Sequence, residues 1–312
     1  MWSRALTAVG MAVLLLTGCA TTPSPTTGAQ PVRVVAGAYP FAFLAGTVGG
    51  DRVSVETLAR PGAEPHDLEL TARQVIHLAK ADLVVTLAGF QPAVDQGIVA
   101  AAPRAVLDLS GATGVTVGSH AEHSPSEGHA DENSHEEGAA DPAHDPHFWL
   151  DPSSMAAASD AVAAALTTAD PEGAATYAAN RDRLDARLSE LRTEYRAGLA
   201  HCGSRDLVTS HAAYAHLASF TGLEPHPLAL DPEAEPSAAT LATIATLVRD
   251  HGVRTIYTEP LSSPKAAQVI ARETGVRTAS LDPIEGLLDP ATDYLTIMSA
   301  NLVALRQGQE CS

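Results

Sequence analysis

At 312 residues the chain is long enough for one large domain or two modest ones with a real core, which excludes a peptide-sized or purely fibrous protein. Hydrophobic residues make up 45% and charged residues 18%, ordinary globular usage, so the chain as a whole is not intrinsically disordered. Its formal net charge of −18 opposes counterion release on nucleic acid and repels anionic membrane surfaces, so no nucleic-acid partner is expected.

Residues 1–19, MWSRALTAVGMAVLLLTGC, read as a secretory signal: Arg4, an apolar stretch from Ala5 to Leu16, then small residues. The stretch is too short for a transmembrane span. Leu16-Thr17-Gly18-Cys19 resembles the bacterial lipobox, which implies lipid on Cys19 and an extracytoplasmic protein anchored to the outer face of a membrane. Residues 20–31, rich in Thr and Pro, suit a flexible tether. Two cysteines remain, Cys202 and Cys311, in a compartment that permits disulfides, and they are expected to pair.

Beyond the tether, short β-branched runs alternate with helical stretches. Strands are expected at Val32 to Ala38, Val53 to Leu58, Asp82 to Leu87 and Ala105 to Leu109, with helices near Phe41 to Val48, Thr71 to Ala79 and Pro92 to Ala101. This is the β-α-β pattern of a parallel sheet covered on both faces. The pattern stops at residues 111–146, which carry no apolar period and read as a loop. Helical sequence resumes at Pro152 to Thr168 and at residues 171–201, where Leu184, Leu188, Leu191 and Tyr195 keep helical spacing over a domain's length. Then alternation returns. Strands are expected at Asp206 to Thr209, Leu223 to Leu228, Thr255 to Thr258 and Arg277 to Leu281, and helices at Ala212 to Thr221, Ser237 to His251, Pro264 to Thr274 and Thr292 to Gln307. The organisation is therefore an N-terminal α/β lobe (32–170), a linking helix (171–201) and a C-terminal α/β lobe (202–312). Ligands of such folds sit beyond the carboxyl ends of strands, here in the cleft between lobes.

Four segments combine a metal-ligating residue type with a strand end, a turn and a following helix: PGAEPHDLELT with His66, DPHFWLDP with His147, SHAAY with His211 and SLDPIEG with Asp282. These contexts, together with TEPLSS at 258–263, resemble in order and spacing the solute-binding proteins of bacterial ABC importers for zinc and manganese, specifically the zinc-uptake branch of the cluster A-I metal-binding lipoproteins, from about residue 32 to 310. The resemblance implies two Rossmann-like α/β lobes joined by one long rigid helix. It implies a metal site in the interlobe cleft, with His66 and His147 from one lobe and His211 and Asp282 from the other. It also implies a monomeric binder that delivers its ion to an ABC importer permease. Tyr214, Glu259 and Trp149 match nearby family positions without a ligand role. Pro65 stands where some zinc-binding relatives carry an extra Glu, which places more weight on Asp282.

Three imidazoles and one carboxylate suit Zn²⁺, whereas manganese favours more carboxylate oxygen and higher coordination; Mn²⁺ or another divalent ion is the alternative. Manganese-preferring relatives often carry a carboxylate where this chain has His211. Glu64, Asp67 and Asp145 are near enough in sequence to accept from imidazole N–H groups. The loop 119–146 holds His120, His123, His129, His135 and His144 among eight carboxylates with no Lys or Arg, a composition suited to weak, multivalent metal collection or to a solvated spacer. An enzyme is not expected: the sequence has no HExxH, no GxSxG and no second metal cluster evident along it, and Asp282 would fill the open position a hydrolytic zinc needs. A surface adhesin using the same fold is the remaining alternative.

Overall fold

The computed structural model describes Trp2, residues 30–117 and residues 142–312. The lipobox with Cys19, nearly all of the tether, and His120, His123, His129 and His135 lie outside the described residues. The first lobe contains β1 (Val32–Ala36), α1 (Tyr39–Gly49), β2 (Val53–Thr57), α2 (Ala72–Lys80), β3 (Leu83–Thr86), α3 (Pro92–Ala101), β4 (Val106–Asp108), α4 (Ser110–Thr113) and α5 (Pro152–Ala169). Its four strands pair in parallel in the order β2-β1-β3-β4, with Val34 beside Val55 on one side and Leu83 on the other. The central strands are near-continuous apolar runs, VRVVA and LVVT, because helices cover both faces of the sheet. Helix α2 opens on a reciprocal capping box between Thr71 and Gln74, and α5 on Asp151, whose carboxylate accepts from the Ser153 N–H just after Pro152.

Helix α6 (Ala174–Gly198) follows, then β5 (Asp206–His211), α7 (Ala215–Thr221), β6 (Glu224–Ala229), α8 (Ala238–Asp250), β7 (Thr255–Thr258), α9 (Lys265–Thr274), β8 (Arg277–Ser280) and α10 (Tyr294–Gly308). The second sheet is again parallel, in the order β6-β5-β7-β8. Both lobes thus repeat one topology, in which chain direction switches beside the first strand and opens a crevice at the carboxyl ends.

Helix α6 is shorter than the 171–201 span read from sequence. Pro171–Gly173 forms a separate 3₁₀ turn, and the helix runs 25 residues, about 37 Å. Its buried stripe is Tyr177, Asn180, Leu184, Leu188, Leu191 and Tyr195, spaced three and four apart. At one end Asn180 donates to the Val48 carbonyl of α1 at 2.8 Å; at the other the Tyr195 hydroxyl donates to the Met298 carbonyl of α10 at 2.7 Å. Apart from Asn180, the stripe is part of one apolar core that continues from Phe41 and Leu44 in the first lobe to Leu217 and Leu305 in the second. A helix buried in a core common to both lobes resists bending between them. Cys202 and Cys311 form a disulfide that ties the segment after α6 to the one after α10. Among the described residues no helix is long and apolar enough to cross a membrane.

Candidate metal centre

His66 follows β2 through a turn shaped by Pro61, Gly62 and Pro65. Gly62 takes a left-handed φ of 77°, which a side chain would oppose, and the Pro65 carbonyl accepts from buried Gln91 at 2.9 Å. The His66 ring then leans edge-on against Phe90, centroids 4.8 Å apart. His147 precedes the 3₁₀ turn Phe148–Leu150, and the Asp145 carboxylate accepts from both its backbone N–H, at 2.9 Å, and its ring Nδ1, at 2.6 Å. His211 ends β5. Its Nδ1 donates to Glu259 Oε2 at 2.5 Å, while Ser262 holds the same oxygen at 3.1 Å. Each of these two rings is thereby oriented through Nδ1, leaving Nε2 to face the cleft.

The three Nε2 atoms converge on a single oxygen. Glu285 Oε1 lies 2.5 Å from His147, 3.0 Å from His66 and 3.3 Å from His211. His147, His211 and Glu285 are buried, whereas the His66 side chain is 18% exposed, so His66 marks the solvent side of the centre. The four potential ligand atoms lie within 4.8 Å of one another, and His211 Nε2 is buried at ion-pair distance from Glu285 Oε1 without the geometry of a hydrogen bond. A buried imidazole nitrogen left unsatisfied is destabilising unless something else binds there, and a cation would complete it.

The electrostatics follow from this crowding. Burial pulls His147 down, but Asp145 and Glu285 overcome it and hold the ring up at about 9. Burial likewise opposes the charge on His211, and Glu259 and Glu285 raise it to about 10. Glu285 is held well below the usual carboxylate range: burial pushes it up, and its three imidazole partners prevail. Glu64 is pushed up to about 8 by burial and by the charge of Glu285. A protonated imidazole cannot ligate, so an entering cation displaces these protons.

The structure brings together His66, His147 and His211, as expected, but groups them with Glu285 rather than Asp282. The reason is the turn in SLDPIEG. Asp282 accepts from the Ile284 N–H at 2.7 Å, and its own backbone pairs twice with the Asn301 side chain. That carboxylate is spent on closing the turn, and burial then raises it to about 6. Ile284 sits at φ 61°, unusual for a β-branched residue, and this turns the chain so that the carboxylate of the next residue, Glu285, meets the imidazoles. Trp149 reinforces the turn, donating from Nε1 to the Pro283 carbonyl at 2.7 Å. Two acidic residues in one short motif were visible in the sequence, but the left-handed Ile284 that selects between them was not. Of the three expected acceptors for imidazole N–H groups, Asp145 meets a ring, Glu64 instead accepts the His66 backbone N–H at 3.1 Å, and Asp67 is exposed. Glu259 holds a ring as well. Tyr214 donates to the Leu281 carbonyl and takes no place among the potential ligands. His144 is exposed and outside the centre.

Parallel-sheet lobes on a shared helix, with imidazoles from both lobes facing one carboxylate, define a cleft-type binding protein suited to a single small cation. The family described as zinc-uptake complex component A, periplasmic, matches residues 34–308, and the chain belongs to it. The zinc-binding protein AdcA of Streptococcus pyogenes serotype M3 is 32% identical over 286 residues, covering 88% of this chain and 55% of that protein, so the chain spans about half the length of that relative. The high-affinity zinc uptake system protein ZnuA of Bacillus subtilis is 30% identical over 317 residues, covering 98% of this chain and 97% of that one. Among solved structures, the laminin-binding protein Lmb of Streptococcus agalactiae, described as bifunctional with adhesin and metal-transporting activity, aligns with a TM-score of 0.76 at 26% identity over 90% of this chain and all of that one.

Proposed function

We propose that this chain is an extracytoplasmic zinc-binding protein that captures Zn²⁺ through His66, His147, His211 and Glu285 and delivers it to an ABC importer permease. The observation that carries the reading is the convergence of three imidazole Nε2 atoms from both lobes on Glu285 Oε1. Three nitrogens and one oxygen match the donor set that Zn²⁺ takes in four-coordinate sites, whereas Mn²⁺ is better served by an oxygen-rich one. The ion is cargo here, not a catalyst: with Glu285 as fourth donor there is no open position for a reacting water. Lipid on Cys19 would hold the protein beside its permease, and the acidic segment with His120, His123, His129, His135 and His144 would gather metal weakly.

Metal analysis and calorimetry on the full chain test the assignment. His211→Ala and Glu285→Gln should each weaken Zn²⁺ binding by orders of magnitude, because each removes one of four donors. Asp282→Asn keeps the Ile284 hydrogen bond and should leave affinity within a few fold of the parent. An Asp282→Asn variant as damaged as Glu285→Gln would return Asp282 to the ligand set. The adhesin reading is supported by the description of the Streptococcus agalactiae protein; laminin binding that survives loss of the zinc site would favour it as an additional role.

A further inference from the structure

A second cluster of ligating side chains lies at the opposite end of β5. Parallel pairing sets Asp206, the first residue of β5, beside Glu224, the first of β6, and His226 follows two residues along on the same face. The carboxylates of Asp206 and Glu224 and the imidazole of His226 each place a potential ligand atom within 4.8 Å of the others. A fourth side chain reaches in from α8, where His251 caps the helix C-terminus: its Nδ1 donates to Asp206 Oδ1 at 3.0 Å, and His226 Nε2 donates to the same oxygen at 2.8 Å. Two imidazoles from separate elements therefore share one carboxylate oxygen, the arrangement that the interlobe centre shows around Glu285. Among the described residues Asp206 is paired with these two rings and with no Lys or Arg. Asp206 is mostly buried, while His226 is 26% and His251 52% exposed, so an ion can reach the cluster from solvent. The carboxyl end of α8 adds its partial negative charge.

We propose that Asp206, Glu224, His226 and His251 form a second divalent-cation site, distinct from the interlobe centre, that takes Zn²⁺ through two nitrogens and two oxygens. Asp206 and His211 are the two ends of one strand, about 17 Å apart, so neither site contributes a ligand to the other. Its exposure makes it the weaker of the two, filling after the first equivalent, because a solvated site gains less from each charge pair than a buried one. The cluster was not legible along the chain, since its residues come from two strands and a helix end.

The test follows the imidazole ring resonances of the ¹⁵N-labelled full chain during addition of Zn²⁺, with assignments from His226→Gln and His251→Gln. The expected result is that the rings of His226 and His251 move together, with one midpoint, after those of His66, His147 and His211 have saturated. Glu224→Gln is an exposed change that leaves Asp206 and both imidazoles in place, and it should raise that midpoint about tenfold or more. Rings of His226 and His251 that stay unmoved over several equivalents, or only one of them moving, would overturn the site, as would a midpoint indifferent to Glu224→Gln. The interlobe reading is judged on its own three rings, so the two fail independently.

Discussion

A histidine becomes a zinc ligand only when it is neutral, oriented and desolvated together. At His147 and His211 the same contacts orient and bury the rings but oppose neutrality: Asp145 and Glu259 fix the rings through Nδ1 and, with Glu285, raise them to about 9 and about 10, so only an entering cation makes them neutral. Between the ordinary imidazole value near 6.5 and these raised values, the folded metal-free chain holds protons that the unfolded chain has released, so its stability falls as pH rises through that window. Zinc must displace those protons, so binding at neutral pH should release them and should strengthen toward alkaline pH. Calorimetry in buffers of different ionisation enthalpy reads the release directly; a heat independent of buffer would contradict the protonated metal-free site.

At the scale of elements, the site depends on α6 holding two loop sets in register. Leu188 lies mid-helix and fully buried in the core common to both lobes. Leu188→Ala should destabilise by about 2–5 kcal/mol through lost burial and the cavity left behind, measurable by denaturant unfolding. Deleting residues 119–141 spares Ala143, whose carbonyl accepts from Thr116 at 2.8 Å, and the whole Asp145–His147 unit. Such a deletion should remove weak zinc equivalents and keep the tight one, as counted by calorimetry. Loss of the tight equivalent would assign a loop histidine to the centre.

At the scale of the whole molecule, several lobe-to-lobe contacts require no metal: Asp145 accepts from the Ala215 N–H at 3.1 Å, Trp149 donates to Pro283, and the Tyr294 hydroxyl donates to the Trp149 carbonyl at 2.6 Å. Together with the common core they favour local adjustment of the cleft over large hinge opening. The Cys202–Cys311 bridge restrains the far end of the second lobe, away from all four proposed ligands. Replacing both cysteines by serine should lower unfolding stability by about 2–4 kcal/mol and leave zinc affinity unchanged. A parallel loss of affinity would mean that the bridge supports the site through the second sheet.

The alternation of strands and helices in both lobes was legible along the chain, because period-2 and period-3.6 apolar patterns are local signals. Three of the proposed ligands, His66, His147 and His211, were implied by the family resemblance that their local contexts PGAEPHDLELT, DPHFWLDP and SHAAY carry. Tertiary structure alone decided the fourth. Asp282 and Glu285 are chemically equivalent along the chain, and the choice falls to a left-handed residue between them, stabilised by Trp149 from the other lobe. The same holds for Glu259 behind His211 and for His251 beside Asp206, where partners 48 and 45 residues apart meet only because parallel strands and their covering helix bring them to one place. Contacts between distant segments leave no periodic trace in a sequence.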